Sequence, residues 1–74
     1  MTETSKTFEA LVAERDRIIL SYLSGDFASF SNLRGICKKY NKESEEEMFD
    51  VSGTDERLWR SVSTFFLELL KSHD

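Results

Sequence analysis

The last third of this 74-residue chain carries an apolar stripe that restricts the possible folds more than any other feature of the sequence. Large apolar residues recur there three and four positions apart, which is the spacing of one face of an α-helix. The members of this C-terminal stripe are Leu58, Trp59, Val62, Phe65, Phe66, Leu69 and Leu70. They span about half of the helix circumference, more than one neighbouring helix can cover. The stripe is therefore predicted to be either the hub of a monomeric core or the seam of a dimer.

Two segments before the stripe also have helical spacing. The first covers about residues 8–24, after a possible Thr7 cap, and Gly25 should end it because glycine readily takes the left-handed conformation. The second covers about residues 27–41. Its Gly35 either marks a close helix contact or indicates that the helix begins late, at Ser31.

The polar sequence between these segments and the stripe predicts two further helix starts. Ser44 to Glu47 has the pattern of a capping box, so a short helix is expected over residues 45–51. Ser52 and Gly53 should end it, and Thr54, Asp55 and Glu56 should start a last helix over residues 55–72, with the two carboxylates at the positive end of its dipole. The sequence therefore predicts an all-α fold, a compact three- to four-helix bundle that is expected to be homodimeric.

The length of the chain favours a single helical domain over residues 7–74, after a flexible tail over residues 1–6. A lone cysteine, Cys37, can form neither an intramolecular disulfide nor a zinc site, and no metal or cofactor is expected. No leader and no membrane-spanning run is recognisable, so the expected location is the cytoplasm.

Catalysis is not expected, because the sequence contains no pairing of a nucleophile with a base. Cys37 lies on an apolar helix face, where ordinary core packing is the better interpretation. The only histidine, His73, stands in the last turn of the last helix, where it would simply interact with the helix dipole. The chain is therefore interpreted as a binding protein and not as an enzyme.

The charges divide into a basic row followed by an acidic segment, although the net charge is only −4. This arrangement favours a protein–protein interaction module that acts as an adaptor, inhibitor or regulator, of the kind found among small bacterial and phage proteins. The predicted partner-binding residues are Arg34, Lys38, Lys42, Glu45, Glu46, Phe49 and Trp59. Two alternatives stay open: the basic row could pair with the chain's own acidic segment, and the aromatic residues could simply belong to the core. The predicted dimer seam consists of Trp59, Val62, Phe66 and Leu70.

The alternative function is a DNA-associated transcriptional regulator. Leu33, Ile36, Cys37 and Asn41 resemble the first half of a helix-turn-helix motif, with Asn41 at the turn. The second half is degenerate, because its recognition helix would fall over residues 44–51, where acidic side chains would face the phosphates. Nucleic acid is thus the less favoured partner.

Overall fold

The computed structural model describes residues 3–26 and 28–72, with side chains from Lys6 onward. It contains three α-helices: α1 (Glu3–Leu23), α2 (Ser31–Ser44) and α3 (Asp55–Ser72). No β-strand occurs in the described part of the chain. The all-α class is confirmed, with three helices and not four.

Helix α1 begins at Glu3, within the segment expected to be a tail. Residues 3–6 therefore belong to the helix, while residues 1–2 lie outside the described residues. Thr7 does not cap a helix start. Thr7 lies within α1, its side chain is buried, and its hydroxyl donates to Glu43 Oε1 at 2.6 Å.

The end of α1 follows the prediction made from Gly25. Gly25 has a φ of +82°, and its N–H donates to the Tyr22 carbonyl (3.0 Å). The Asp26 N–H donates to the Ser21 carbonyl (2.9 Å), which completes a Schellman motif. The glycine is required because a side chain would be strained in this conformation.

Helix α2 begins later and ends later than the expected range 27–41. Phe30 is the N-cap residue and Ser31 is the first helical residue, whereas Phe27 lies outside the described residues. Gly35 is exposed, and a Cβ built there would meet no atom within 4 Å. Of the two interpretations of Gly35, the late start is therefore correct and the close helix contact is wrong.

The predicted short helix over residues 45–51 is wrong. Glu45 takes the left-handed conformation (φ 60°) and ends α2, and the Glu46 N–H donates back to the Asn41 carbonyl at 3.2 Å. Ser44 is the last residue of α2, with its hydroxyl 3.4 Å from the same carbonyl. The capping-box residues thus close a helix C-terminus instead of opening a new helix.

Helix α3 matches the range expected for the last helix. The Arg57 N–H donates to Thr54 Oγ1 (3.2 Å), so Thr54 caps the helix start. Asp55 and Glu56 lie in the first turn, where their charges favour the positive end of the helix dipole.

Side-chain contacts fix the directions of the three helices. Thr7, near the start of α1, contacts Glu43 near the end of α2. Phe8, also near the start of α1, lies 6.0 Å from the Phe66 ring in the second half of α3. Helix α1 is thus antiparallel to both others, and α2 and α3 run in the same direction.

Part of the C-terminal stripe lies in the core. Leu58 and Val62 are fully buried, and Trp59, Phe65 and Phe66 pack against the core while partly exposed. Leu70, at the end of the stripe, is exposed. The buried apolar residues of the described part of the chain are Leu11, Ile18, Ala28, Phe30, Leu33, Cys37, Phe49, Leu58 and Val62. The part of the stripe from Leu58 to Phe66 therefore packs within its own chain.

Phe65 contacts aromatic rings from every other part of the fold. Its ring centroid lies 6.3 Å from that of Phe8 in α1, 5.7 Å from Tyr40 in α2 and 5.0 Å from Phe49 in the connection between α2 and α3. All three pairs meet edge to face, which is a favoured geometry for aromatic rings. This one side chain links α1, α2, α3 and the connection.

Gly35 provides a test of the observed α2 boundaries. Replacement by alanine should stabilise the fold by about 1 kcal/mol, because glycine is entropically unfavourable inside a helix and the added methyl group meets no atom. Urea denaturation followed by circular dichroism measures the change. The control is Gly25→Ala, which should destabilise the fold because of its positive φ. Loss of stability in Gly35→Ala would contradict an exposed helical position.

Candidate functional site

The connection between α2 and α3, residues 45–54, returns along α2 and is bonded to it by Asn41. The Asn41 side-chain carbonyl accepts hydrogen bonds from the N–H groups of Met48 (3.0 Å) and Phe49 (3.1 Å). Its amide donates to the Phe49 carbonyl at 3.0 Å. One side chain thus satisfies three backbone groups of Met48 and Phe49. In a helix over residues 45–51 these groups would have paired with other backbone groups instead.

Arg34 holds the other end of this connection. One guanidinium nitrogen donates to the carbonyls of Val51 (2.6 Å) and Gly53 (3.1 Å), and another lies 2.6 Å from Asp55 Oδ1. Arg34 and Asn41 are seven residues apart, so they lie two turns apart on nearly the same face of α2. Arg34, predicted to contact a partner, instead contacts its own chain.

The connection is also bonded to α3. The Asp50 N–H donates to Ser61 Oγ at 3.3 Å, and the Asp50 carboxylate forms an ion pair with Arg57 at 3.1 Å. A Cβ at Gly53 would come within 3.0 Å of the Asp50 carboxylate and 3.2 Å of the Arg57 side chain. The connection is thus held from both helices between which it lies.

Two aromatic residues predicted as partner anchors belong mainly to the core. Phe49 is only 3% exposed, and Trp59 is half-buried with its ring 5.7 Å from Phe30. Phe49 is therefore not available as a surface anchor. The neighbouring Met48 is 40% exposed and stands beside the predicted charged residues. No sequence period indicates that Met48 is exposed and Phe49 buried.

The remaining predicted partner-binding residues form a charged surface. Lys38, Lys42, Glu45 and Glu46 are all exposed, and together with Glu47 they line a shallow cavity of about 500 Å³. We call these five residues the charged ridge. Within residues 3–26 and 28–72, no ion pair involves any of them, whereas Arg34 is paired with Asp55.

The predicted dimer seam is divided between the core and the surface. Val62 is 1% exposed and belongs to the core of its own chain, so it cannot form a seam. Trp59 and Phe66 are half-buried, and Phe66 is covered on one face by the Arg15 guanidinium, 4.5 Å from the ring centroid. Leu70 is 66% exposed, as is the unpredicted Leu67 at 59%.

Cys37 lies in the core, as predicted. Burial raises the pKa of its thiol to about 12, although the charge of Arg34 acts in the opposite direction. The thiolate is therefore negligible at neutral pH, which makes the thiol a poor nucleophile. His73 lies outside the described residues.

The resemblance to a helix-turn-helix motif ends with α2. Asn41 is a helical residue and not the turn, and the residues that would form the recognition helix are in the irregular connection. Glu45, Glu46 and Glu47 of that segment are exposed, whereas Asp50 is partly buried and paired with Arg57.

Neither a metal site nor a membrane-spanning helix is found in the described residues: no three potential ligand side chains are grouped, and no helix is long and apolar enough. Comparisons of the chain with protein-family models, curated proteins and solved structures gave no match.

Asn41 provides a test of how the connection is held. Asn41→Ala should destabilise the fold by about 1–3 kcal/mol, because it leaves backbone groups of Met48 and Phe49 without partners. Urea denaturation gives the free energy of unfolding, and amide hydrogen exchange should accelerate at Met48 and Phe49. Asn32→Ala, an exposed position in the same helix, is the control and should change the stability little. Equal effects of the two substitutions would contradict the proposed role of Asn41.

Proposed function

We propose that this chain is a small interaction module that acts by binding another protein, as an adaptor, inhibitor or regulator. The charged ridge is the observation that supports the proposal most directly. Its two lysines and three glutamates are exposed and form no ion pairs within the described residues. Charges left without intramolecular partners can steer and orient an approaching protein.

The way α2 ends accounts for the exposure of these charges. In a continuous helix, Lys42 and Glu46 would be four residues apart and would stabilise each other. The left-handed conformation of Glu45 redirects the chain before Glu46, so this pair does not form. The fold thus leaves both signs of charge available on one surface.

The proposal is one of binding and not of catalysis. The only thiol is buried and neutral, and the exposed carboxylates lie in shallow, open surroundings that do not favour acid–base chemistry. A cytoplasmic location is part of the same proposal, since a free cysteine suits a reducing compartment.

We also propose that the module is a homodimer, paired through α3. Leu67 and Leu70 are three residues apart and exposed, so they form an apolar edge beside the half-buried Phe66. A two-fold pairing brings the same edge of both chains together, which suits a surface that is its own complement. The proposed seam thus differs from the one predicted from the sequence: it includes the exposed Leu67 and leaves out the buried Val62.

Charge reversal on the ridge tests the binding function. Lys38→Glu combined with Lys42→Glu should abolish partner capture from native lysate, because two attractive contacts become repulsive. Mass spectrometry measures capture, and circular dichroism should remain helical. Lys39→Glu, exposed on the same helix, is the control and should retain capture.

If the double variant still captures its partner from the lysate, the charged ridge is not the binding surface. Retardation of duplex DNA at low salt by the natural chain, lost in the double variant, would instead support the nucleic-acid alternative.

The dimer proposal has its own test. Leu67→Lys combined with Leu70→Lys should convert dimers to folded monomers, because it places charges in the apolar seam. Light scattering over a concentration series measures the mass. Leu20→Lys with Leu23→Lys is a matched control, since these leucines have the same spacing and are exposed on α1. A monomeric natural chain, or dissociation by the α1 pair alone, would contradict the proposal.

A further inference from the structure

A groove of about 580 Å³ lies between α3 and the first residues of the connection. One stripe of α3 and three consecutive residues of the connection form its walls. The lining residues are Glu46, Glu47, Met48, Ser61, Thr64, Phe65 and Glu68. We call this surface the acidic groove.

Met48 and Phe65 form the apolar part of the acidic groove. Met48 is 40% exposed, and Phe65 is half-buried with its inner edge against Phe49 and Tyr40. A methionine side chain is flexible and polarisable, so it adapts to apolar partners of different shapes. The groove can therefore accept one apolar side chain from a partner.

Three carboxylates surround this apolar part. Glu46, Glu47 and Glu68 are exposed, and in the described part of the chain none of them is in an ion pair. The lining contains no lysine or arginine. Arg57 and Arg60, which line the neighbouring cavity with Ser61 and Thr64, are paired with Asp50 and Glu56. Lys38 and Lys42 lie on the other side of Glu46 and Glu47, in the cavity of the charged ridge.

The backbone adds to the negative potential of this surface. Helix α2 ends at Ser44, two residues before Glu46, and the C-terminal end of a helix is the negative end of its dipole. The charge of the groove thus complements a cationic partner and opposes an acidic one.

The groove is formed before any partner arrives. The Met48 N–H is held by Asn41, and the Asp50 N–H is held by Ser61 Oγ. Ser61 in turn donates to the Leu58 carbonyl at 2.8 Å, which fixes its hydroxyl. A partner therefore does not have to order this segment, and the entropic cost of binding is smaller.

We propose that the acidic groove binds a basic segment of a partner protein. One apolar side chain of that segment, such as leucine, methionine or phenylalanine, contacts Met48 and Phe65. Lysine or arginine side chains on either side of it face Glu46, Glu47 and Glu68. The inference rests on the proposed function and names the chemical class of the partner.

A random peptide library tests this inference without presupposing the sequence that binds. Twelve-residue displayed peptides are selected on the full chain, and the strongest binder is synthesised with a fluorescent label for anisotropy titration. The selected peptides should be enriched in lysine and arginine flanking a single large apolar residue. Their affinity should fall with salt, since exposed ion pairs are screened.

Charge reversal locates the binding site. Glu47→Lys combined with Glu68→Lys should weaken the binding of the peptide by about tenfold or more, because two exposed attractions become repulsions. Glu9→Lys combined with Asp26→Lys changes the net charge equally at exposed positions outside the groove, and should alter the affinity much less. Met48→Asp should also weaken binding, while circular dichroism remains unchanged in all variants.

Each other outcome overturns the inference. Selection of acidic peptides, of no peptide at all, or of peptides that bind both double variants equally would show that the groove does not take a basic segment. Peptides that depend on Lys38 and Lys42 instead would overturn the groove but leave the proposed function intact. If lysate capture also yields no partner, the proposed function fails with it.

Discussion

The hydrogen bonds from two α2 side chains to the backbone of residues 45–54 determine the arrangement of the whole fold. A chain that leaves the end of α2 and starts α3 beside the beginning of α2 must return along the full length of that helix. Asn41 binds the early part of this return and Arg34 the late part. Because buried backbone groups need partners, an irregular segment could not pack here without them. These bonds are therefore what permits α2 and α3 to run in the same direction.

The aromatic contacts depend on this return. Phe49 is carried into the core because Asn41 binds its N–H and its carbonyl, and its ring then meets Phe65 at 5.0 Å and Tyr40 at 5.5 Å. With only three helices, the core needs this extra ring to cover the C-terminal stripe. Helix α3 is thus covered by α1, by α2 and by an irregular segment. The question of hub or seam, open from the sequence, is answered as a hub for the buried part of the stripe, while Leu67 and Leu70 remain outside it.

The sequence predicted the features that depend on local or periodic signals. Gly25 ended α1, and the start signal at Thr54 to Glu56 together with the apolar spacing located the last helix correctly. It failed where a distant side chain competes for the same backbone groups: Ser44 to Glu47 has a good capping box, but Asn41 binds the amides that follow. Lys38, Lys42, Glu45 and Glu46 are exposed as a binding surface requires, and their role in binding stays a prediction. For Arg34 and Phe49 the sequence left two alternatives open, because the choice depends on the path of the connection, which has no sequence period.

The connection is held in the fold through its backbone, while its proposed role in recognition depends on its side chains. Asn41 and Ser61 hold Met48 and Asp50 through their backbone N–H groups, so the side chains of Glu46, Glu47 and Met48 contribute little to the fold. Within the described residues, Glu46 and Glu47 form no ion pair that would compensate their charges. Like charges close to an exposed methionine are unfavourable for an isolated chain. A bound cationic segment would relieve both the repulsion and the apolar exposure.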